Sequence, residues 1–434
     1  MKNVTIDVHE VTRVEGHGNL SVRVADGAVT RIELQITESP RYFEAFLRGR
    51  PAGEAPQIAC RICGICSVGH ATAAVQAIEA ATGVEPSAQT LALRRLLLLG
   101  EHLQSHVLHL YFLAVPDFLG VGSVIPLAAT HGDVVRRALR LKKLANDLCK
   151  AVGGRHIHPI AMHVGGFTHL PADDELIALK RRLESARVDL EQTVELFATL
   201  AVPELSRNVD YVALAPNGDG AYPLRAGPIR STRDPRPTPA ARYRERVIET
   251  VVPHSAAKHC HTPGGETYAV GSLARFNNNS AGLHPAAAAA ARRLGLTAPC
   301  RNPFHNNTAQ LVECVHIVES AIELIDALLT RGLRREPLAA ATRCGAGVGA
   351  VEVPRGLLFH EYEVDASGRI VAANLIIPTG QNLANIEEDL RAFVPQLLEA
   401  GLGPAEITLR LEMLIRAYDP CISCATHFLE IDWR

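Results

Sequence analysis

Aromatic side chains are scarce in this chain, at 5% of 434 residues. Alanine, leucine and glycine dominate instead, which suits many closely packed helices. An excess of charge of one sign is also missing. The formal net charge is −2, which gives no reason to expect nucleic acid or another polyanion as a partner. No apolar run approaches the length needed to cross a bilayer. The first ten residues, MKNVTIDVHE, lack the basic-then-apolar order of a secretory signal. A soluble cytoplasmic protein is therefore expected. The ten cysteines do not resemble a small disulfide-stapled fold. Six stand alone (Cys60, Cys149, Cys260, Cys300, Cys314 and Cys344) and read mostly as small buried hydrophobes. The other four form two pairs.

Hydrophobic residues make up 47% of the chain, ample for a large core. Length permits two or three domains, or one large one. The expected class is α+β, mostly α. Apolar and polar residues alternate through VTIDVHEV, LSVRV and VTRIELQI, with ADG as a turn, which predicts a small antiparallel sheet over about residues 1–38. From about Arg41 the period becomes helical. Long helices are predicted over Thr90 to Leu113, Asp133 to Gly153, Asp174 to Leu200 and His305 to Leu329. Together they predict a helical-bundle core. A β-hairpin turning at DASG is predicted over 358–378. A helix follows, with Asn382 as a possible cap and Gly401 as a stop. Ala213 to Pro239 and Pro337 to Gly356 are rich in Gly and Pro and read as connecting segments.

The chemistry concentrates in the cysteine pairs. RICGICSVGH holds Cys63, Cys66 and His70; YDPCISCATH holds Cys421, Cys424 and His427. A lone C-x-x-C fits a redox dithiol or half of a zinc site. Two such pairs, more than 350 residues apart, suggest one tetrathiolate site. Four thiolates are soft ligands suited to zinc, an iron–sulfur cluster, or nickel with iron. A structural zinc knuckle usually keeps its halves close in sequence, unlike these.

Several segments carry a more specific signal. RVEGHG (Arg13 to Gly18), RICGICSVGH and DPCISCATH are the strongest; QSHVLHLYFLAVPDF, VEVPRGLLFHE and PTGQNLANIEEDL agree with them. Over essentially its full length the sequence resembles the large, catalytic subunit of a nickel–iron hydrogenase, of the soluble cytoplasmic type. The resemblance implies that the four thiolates hold nickel beside an iron carrying carbon monoxide and cyanide. Cys63 and Cys421 would bind nickel terminally, and Cys66 and Cys424 would bridge the two metals. Such a centre splits H2 heterolytically into a proton and a hydride equivalent.

The same resemblance assigns neighbours. Glu15, otherwise a plain strand-end carboxylate, becomes the first proton relay beside Cys421. Arg355 overhangs the open metal edge, with Asp117 and Asp419 pairing with or orienting it. Pro378 and Thr379 line the pocket. His70 hydrogen-bonds a bridging sulfur, though a core histidine would look the same. Glu44 and His427 bind a Mg2+-like hard cation. His106 and His109 read as packing or buried-network residues. The family more often has alanine where Val353 stands, a small departure beside the PRG run.

No further cysteine array offers an iron–sulfur cluster here. Electrons must therefore leave through an iron–sulfur small subunit. GAGVGA, Gly345 to Ala350, has the wrong spacing for a dinucleotide loop, so flavin and NAD(P) belong on other, diaphorase-type subunits. A viologen- or heterodisulfide-reductase-linked enzyme and an F420-reducing one are alternatives. Two others come from different classes: a regulatory subunit that senses hydrogen, and a complex-I-like energy-coupling subunit, which generally lacks the nickel cysteines. Maturation would involve nickel-insertion proteins and a protease. That protease would remove residues 428–434, leaving 1–427 as a single domain.

Overall fold

Residues 3–217 and 222–426 are described by a computed structural model. The alternating N-terminal segments form three antiparallel strands, β1 (Val4–Val8), β2 (Gly18–Ala25) and β3 (Ala28–Ile36). Asp26 and Gly27 turn the β2–β3 hairpin with φ of 50° and 81°. Two successive positive φ values match the twist of the flanking strands, and Asp-Gly is a sequence that tolerates them well. Ile32, Leu34 and Ile36 face inward and are buried.

Four long helices build the bundle: α1 (Ser67–Thr82) opens behind the first cysteine pair, followed by α2 (Ala88–Leu108), α3 (Gly132–Gly153) and α4 (Asp173–Ala198). Ser87 caps α2, its Oγ accepting from the Thr90 amide at 3.0 Å. The helix predicted to continue to Leu113 widens into a π-helical stretch over His109–Ala114. Pro116 lacks the amide that would close the last α-type bond to Phe112, so the ladder is disturbed there.

A short hairpin, β4 (Ile248–Thr250) and β5 (His259–His261), precedes α5 (Ser272–Asn279) and the long α6 (Asn306–Arg331). Helix α6 packs on both α2 and α4, and α3 fills the space between α2 and α4. Arg275 of α5 is fully buried and pinned by two carboxylates. Its Nε donates to Glu313 of α6 at 2.6 Å and its Nη1 to Glu352 at 3.0 Å. His106 and the Tyr222 hydroxyl also meet Glu313, at 2.8 and 2.6 Å. His109 lies between Gln310 and the Arg416 carbonyl. Both histidines are thus network residues, as the sequence suggests.

The predicted hairpin is two strands of a three-stranded antiparallel sheet: β6 (Gly345–Val353), β7 (Gly356–Val364) and β8 (Ile370–Ile376). GAGVGA, expected within a connecting segment, is the start of β6. Its glycines let α1 lie directly on the strand. A Cβ on Gly347 would sit 2.2 Å from the Ala77 carbonyl oxygen, and one on Gly349 2.2 Å from that of Ala73. Helix α7 (Pro378–Glu399) follows, then α8 (Pro404–Ala417). Proline at its first position begins α7, so Asn382 lies a turn inside and caps nothing. Its side chain instead accepts from the Val270 amide at 2.9 Å. Gly401 ends the helix as expected, with φ of 73° and its amide on Leu398 O.

One hydrophobic cluster runs from Ile6 to Ala425, so N- and C-terminal segments share a core. Among the described residues no helix is long and apolar enough to cross a membrane.

Candidate metal centre

Each cysteine pair sits where the chain turns into a helix. Cys63 is extended (φ −147°, ψ 144°), and Cys66 immediately precedes α1. Cys421 precedes a single helical turn, Ile422–Ala425. The N-terminal chain brings these turns together. Glu15 and Cys421 form a parallel β-bridge, and the Ile422 amide donates to the Glu15 carbonyl at 2.9 Å. Gly16 makes the approach possible. Its φ is 85°, and a Cβ there would lie 2.7 Å from Ile422 Cβ.

The four sulfurs converge in the buried interior. Cys63 Sγ is 3.4 Å from Cys421 Sγ, Cys66 Sγ is 3.5 Å from Cys424 Sγ, and Cys421 and Cys424 Sγ are 2.9 Å apart. All four lie within 4.8 Å of one another. The separations are too long for disulfides. Thiols of Cys421, Cys424 and Cys66 donate toward Cys63 and hold it well below the ordinary cysteine value, against burial. Burial pushes Cys421 and Cys424 well up. Four thiolates this close repel one another unless a soft, multiply charged cation sits among them, and the donor set fits one.

Polar groups surround the sulfurs. Cys421 Sγ lies 3.1 Å from Glu15 Oε2, which also accepts from the Ser423 amide at 3.1 Å; the Ser423 hydroxyl donates to Glu15 Oε1. Arg355, in the turn between β6 and β7, donates from Nε to the Asp419 carbonyl at 2.7 Å and from Nη2 to Asp419 Oδ1 at 2.9 Å. Both side chains are buried. Burial opposes the guanidinium charge, but Asp419 and the thiolates of Cys421, Cys66 and Cys63 outweigh it and hold the pKa well above the usual value. Thr379, at the start of α7 beside Pro378, accepts from the Cys421 amide at 2.9 Å. That places the positive end of a 22-residue helix against the thiolate turn.

A model of the family described as nickel-dependent hydrogenase matches residues 41–135 and 264–427. The chain belongs to this family, as a large subunit. It is 36% identical to the alpha chain of sulfhydrogenase 1 of Pyrococcus furiosus, with 99% of this chain and 100% of that protein covered. It is 34% identical to a chain of the F420-non-reducing hydrogenase of Methanothermobacter marburgensis, covering 99% and 96%. A crystal structure of an NAD+-reducing [NiFe]-hydrogenase in the H2-reduced state superposes with a TM-score of 0.87 at 30% identity, covering 98% and 99%. The hydrogenase family and the mostly α architecture expected from the motifs and periodicity therefore both stand.

In this hydrogenase Asp117 is placed differently from expectation. Its partners are Arg416, at 2.7 and 2.9 Å, and Arg13, rather than Arg355. Arg416 is buried and needs a carboxylate. Arg13 stands two residues before Glu15, so Asp117 anchors the segment that delivers Glu15. His70 lies one turn into α1, its Nδ1 3.1 Å from His360 Nε2; His360 Nδ1 meets the Tyr362 hydroxyl at 2.8 Å. Glu44 is half-buried and accepts from the Leu375 amide at 2.8 Å. His427 and the segment 428–434 lie outside the described residues.

Three site residues escape motif reading. Ser423 lies between the cysteines of the second C-x-x-C. Glu38 Oε2 is buried with no hydrogen-bond partner among the described residues, and burial together with the Glu15 charge raises its pKa. Glu101 of α2 accepts from the Val68 and Gly69 amides at 2.6 and 2.9 Å, capping α1 just behind Cys66. Burial pushes its pKa up to about 8. A carboxylate on the apolar face of α2 was the available signal for it.

Proposed function

We propose that H2 activation at this centre passes its proton to Glu15 and its electrons to an iron–sulfur small subunit, and from there to NAD(P) in the cytoplasm. The observation that carries the proton step is the 3.1 Å approach of Glu15 Oε2 to Cys421 Sγ. Direct transfer needs a donor and acceptor within hydrogen-bond reach, and this pair has it. The Ser423 amide and hydroxyl hold the carboxylate in that orientation. Glu38 is the next carboxyl, since its unpartnered buried oxygen can receive a proton without breaking another bond.

Cys63, Cys66, Cys421 and Cys424 would together hold nickel beside an iron bearing carbon monoxide and cyanide. When bound, that pair supplies the redox change and polarises H2. Arg355, held by Asp419, keeps a fixed positive charge over the site. The Asp419 backbone sits at φ 49°, and its Oδ2 accepts from Gln310 Nε2 at 3.1 Å, so the pair is braced from two sides. Glu44, with His427, would take a magnesium-like ion. Nickel-insertion proteins would load the site, and a protease would then remove 428–434.

The superposed structure is that of an NAD+-reducing enzyme, which supports NAD(P) as the acceptor. Similarity to an F420-non-reducing hydrogenase counts against F420 as the acceptor, which leaves a viologen- or heterodisulfide-linked enzyme as the second reading. The decisive experiment is metal analysis and infrared spectroscopy of the purified complex. Nickel and iron with carbon monoxide and cyanide bands are expected; zinc without those bands would overturn the assignment. Hydrogen-dependent reduction of NAD(P) against viologen then separates the acceptors, and very slow turnover with both would favour a sensor.

A further inference from the structure

A second set of metal-ligating side chains lies away from the four cysteines. His254 is in the loop between β4 and β5, His259 opens β5, and Glu387 is on α7. One ligand atom from each falls within 4.8 Å of the others. His254 Nε2 is 2.8 Å from Glu387 Oε1, which also accepts from the Leu34 amide of β3 at 2.8 Å. The two imidazoles meet edge to face, with centroids 5.4 Å apart.

We propose that His254, His259 and Glu387 form a binding site for a zinc-class divalent cation, tying the β4–β5 hairpin to α7 and, through Leu34, to the N-terminal sheet.

Two imidazoles and a carboxylate are the donor set that borderline ions such as zinc favour, with a fourth position for water. A second observation points the same way. His259 is only 3% exposed, yet its Nε2 is buried with no hydrogen-bond partner among the described residues. A buried polar nitrogen left unpaired is unfavourable, and a cation would satisfy it. The rim is open. His254 and Glu387 side chains are 19% and 14% exposed, leaving a path for an ion and its water. On binding, the cation replaces the proton shared by His254 and Glu387, which passes to solvent. The loop is already placed for this, because the Ala256 amide donates to Ile36 O of β3 at 3.0 Å.

The test uses the intact hydrogenase complex, loaded with Zn2+, cleared of loose ions by gel filtration and assayed for metal. The wild type is expected to keep about one zinc per large subunit. His254→Ala, His259→Gln and Glu387→Gln should each lose it while retaining nickel and H2 oxidation. Zinc retained in all three variants sits elsewhere and overturns the proposal, as does a wild type that retains none. A measurement on the wild type alone covers the case of a variant that does not fold. Co2+ in place of zinc should give tetrahedral visible bands, and anomalous scattering at the zinc edge should peak between the three side chains. Absence of both overturns the site.

Discussion

At the scale of single residues, Glu15 carries the sharpest expectation. Glu15→Gln keeps the shape and the Ser423 contacts but cannot cycle a proton. Hydrogen oxidation should fall by roughly 10²–10⁴-fold while nickel content stays constant. Wild-type turnover in that variant would rule out the relay. Gly16 poses a different kind of test. Gly16→Ala forces a Cβ against Ile422 and strains a left-handed backbone, so the second cysteine turn cannot close. Nickel occupancy should drop along with activity, a pairing that separates it from Glu15→Gln. The motifs made Glu15, Arg355 and the cysteines legible, because each stands in a run with its neighbours. They did not show which arginine Asp117 serves. Arg416 and Arg355 are equally plain in sequence, and only the fold puts Arg416 and Arg13 on that carboxylate.

At the scale of elements, periodicity revealed the long helices and the N-terminal sheet, since one buried face imposes 3.6 or 2 on the pattern. It misread GAGVGA, where the usual signal is absent. Gly347 and Gly349 bury backbone instead of side chain, so β6 shows no apolar alternation at its start. The same close fit makes β6 fragile. Gly349→Ala should push α1 off the strand, lower the melting temperature of the complex and cost roughly 1–3 kcal/mol. Because α1 begins just after Cys66, nickel loading should fall with it. Unchanged stability would mean that the strand can move away without penalty. The start of α7 was misjudged for a related reason. Asn is a common cap, but proline at the first position and the need for Thr379 beside Cys421 set the boundary a full turn earlier.

At the scale of the whole molecule, buried charge decides what the fold tolerates. Arg275 balances Glu313 and Glu352 deep in the core. Arg275→Met would strand both carboxylates and destabilise the chain by roughly 3–5 kcal/mol, seen as loss of soluble protein. Acid acts through buried histidine. Burial pushes His316 down to about 4, whereas an unfolded histidine titrates near 6.5. The unfolded chain therefore takes the proton first as pH falls. The contribution of His316 is full above about 6.5 and is lost as pH drops toward 4. His316→Gln should narrow the fall in melting temperature between pH 7 and pH 5; an identical fall in both proteins would refute this. Finally, the bridge between Glu15 and Cys421 bears on how the protein is born. Partners 358 residues apart, such as Cys63 and Cys421, cannot meet until synthesis is almost finished. At about 5–20 residues per second, roughly 20–70 seconds separate the two. Throughout that interval the Glu15 segment lacks its bridge to Cys421, and the first cysteine pair lacks the second. An incomplete chain therefore cannot present the four-thiolate donor set, and the metal centre is assembled only after both cysteine pairs have been made.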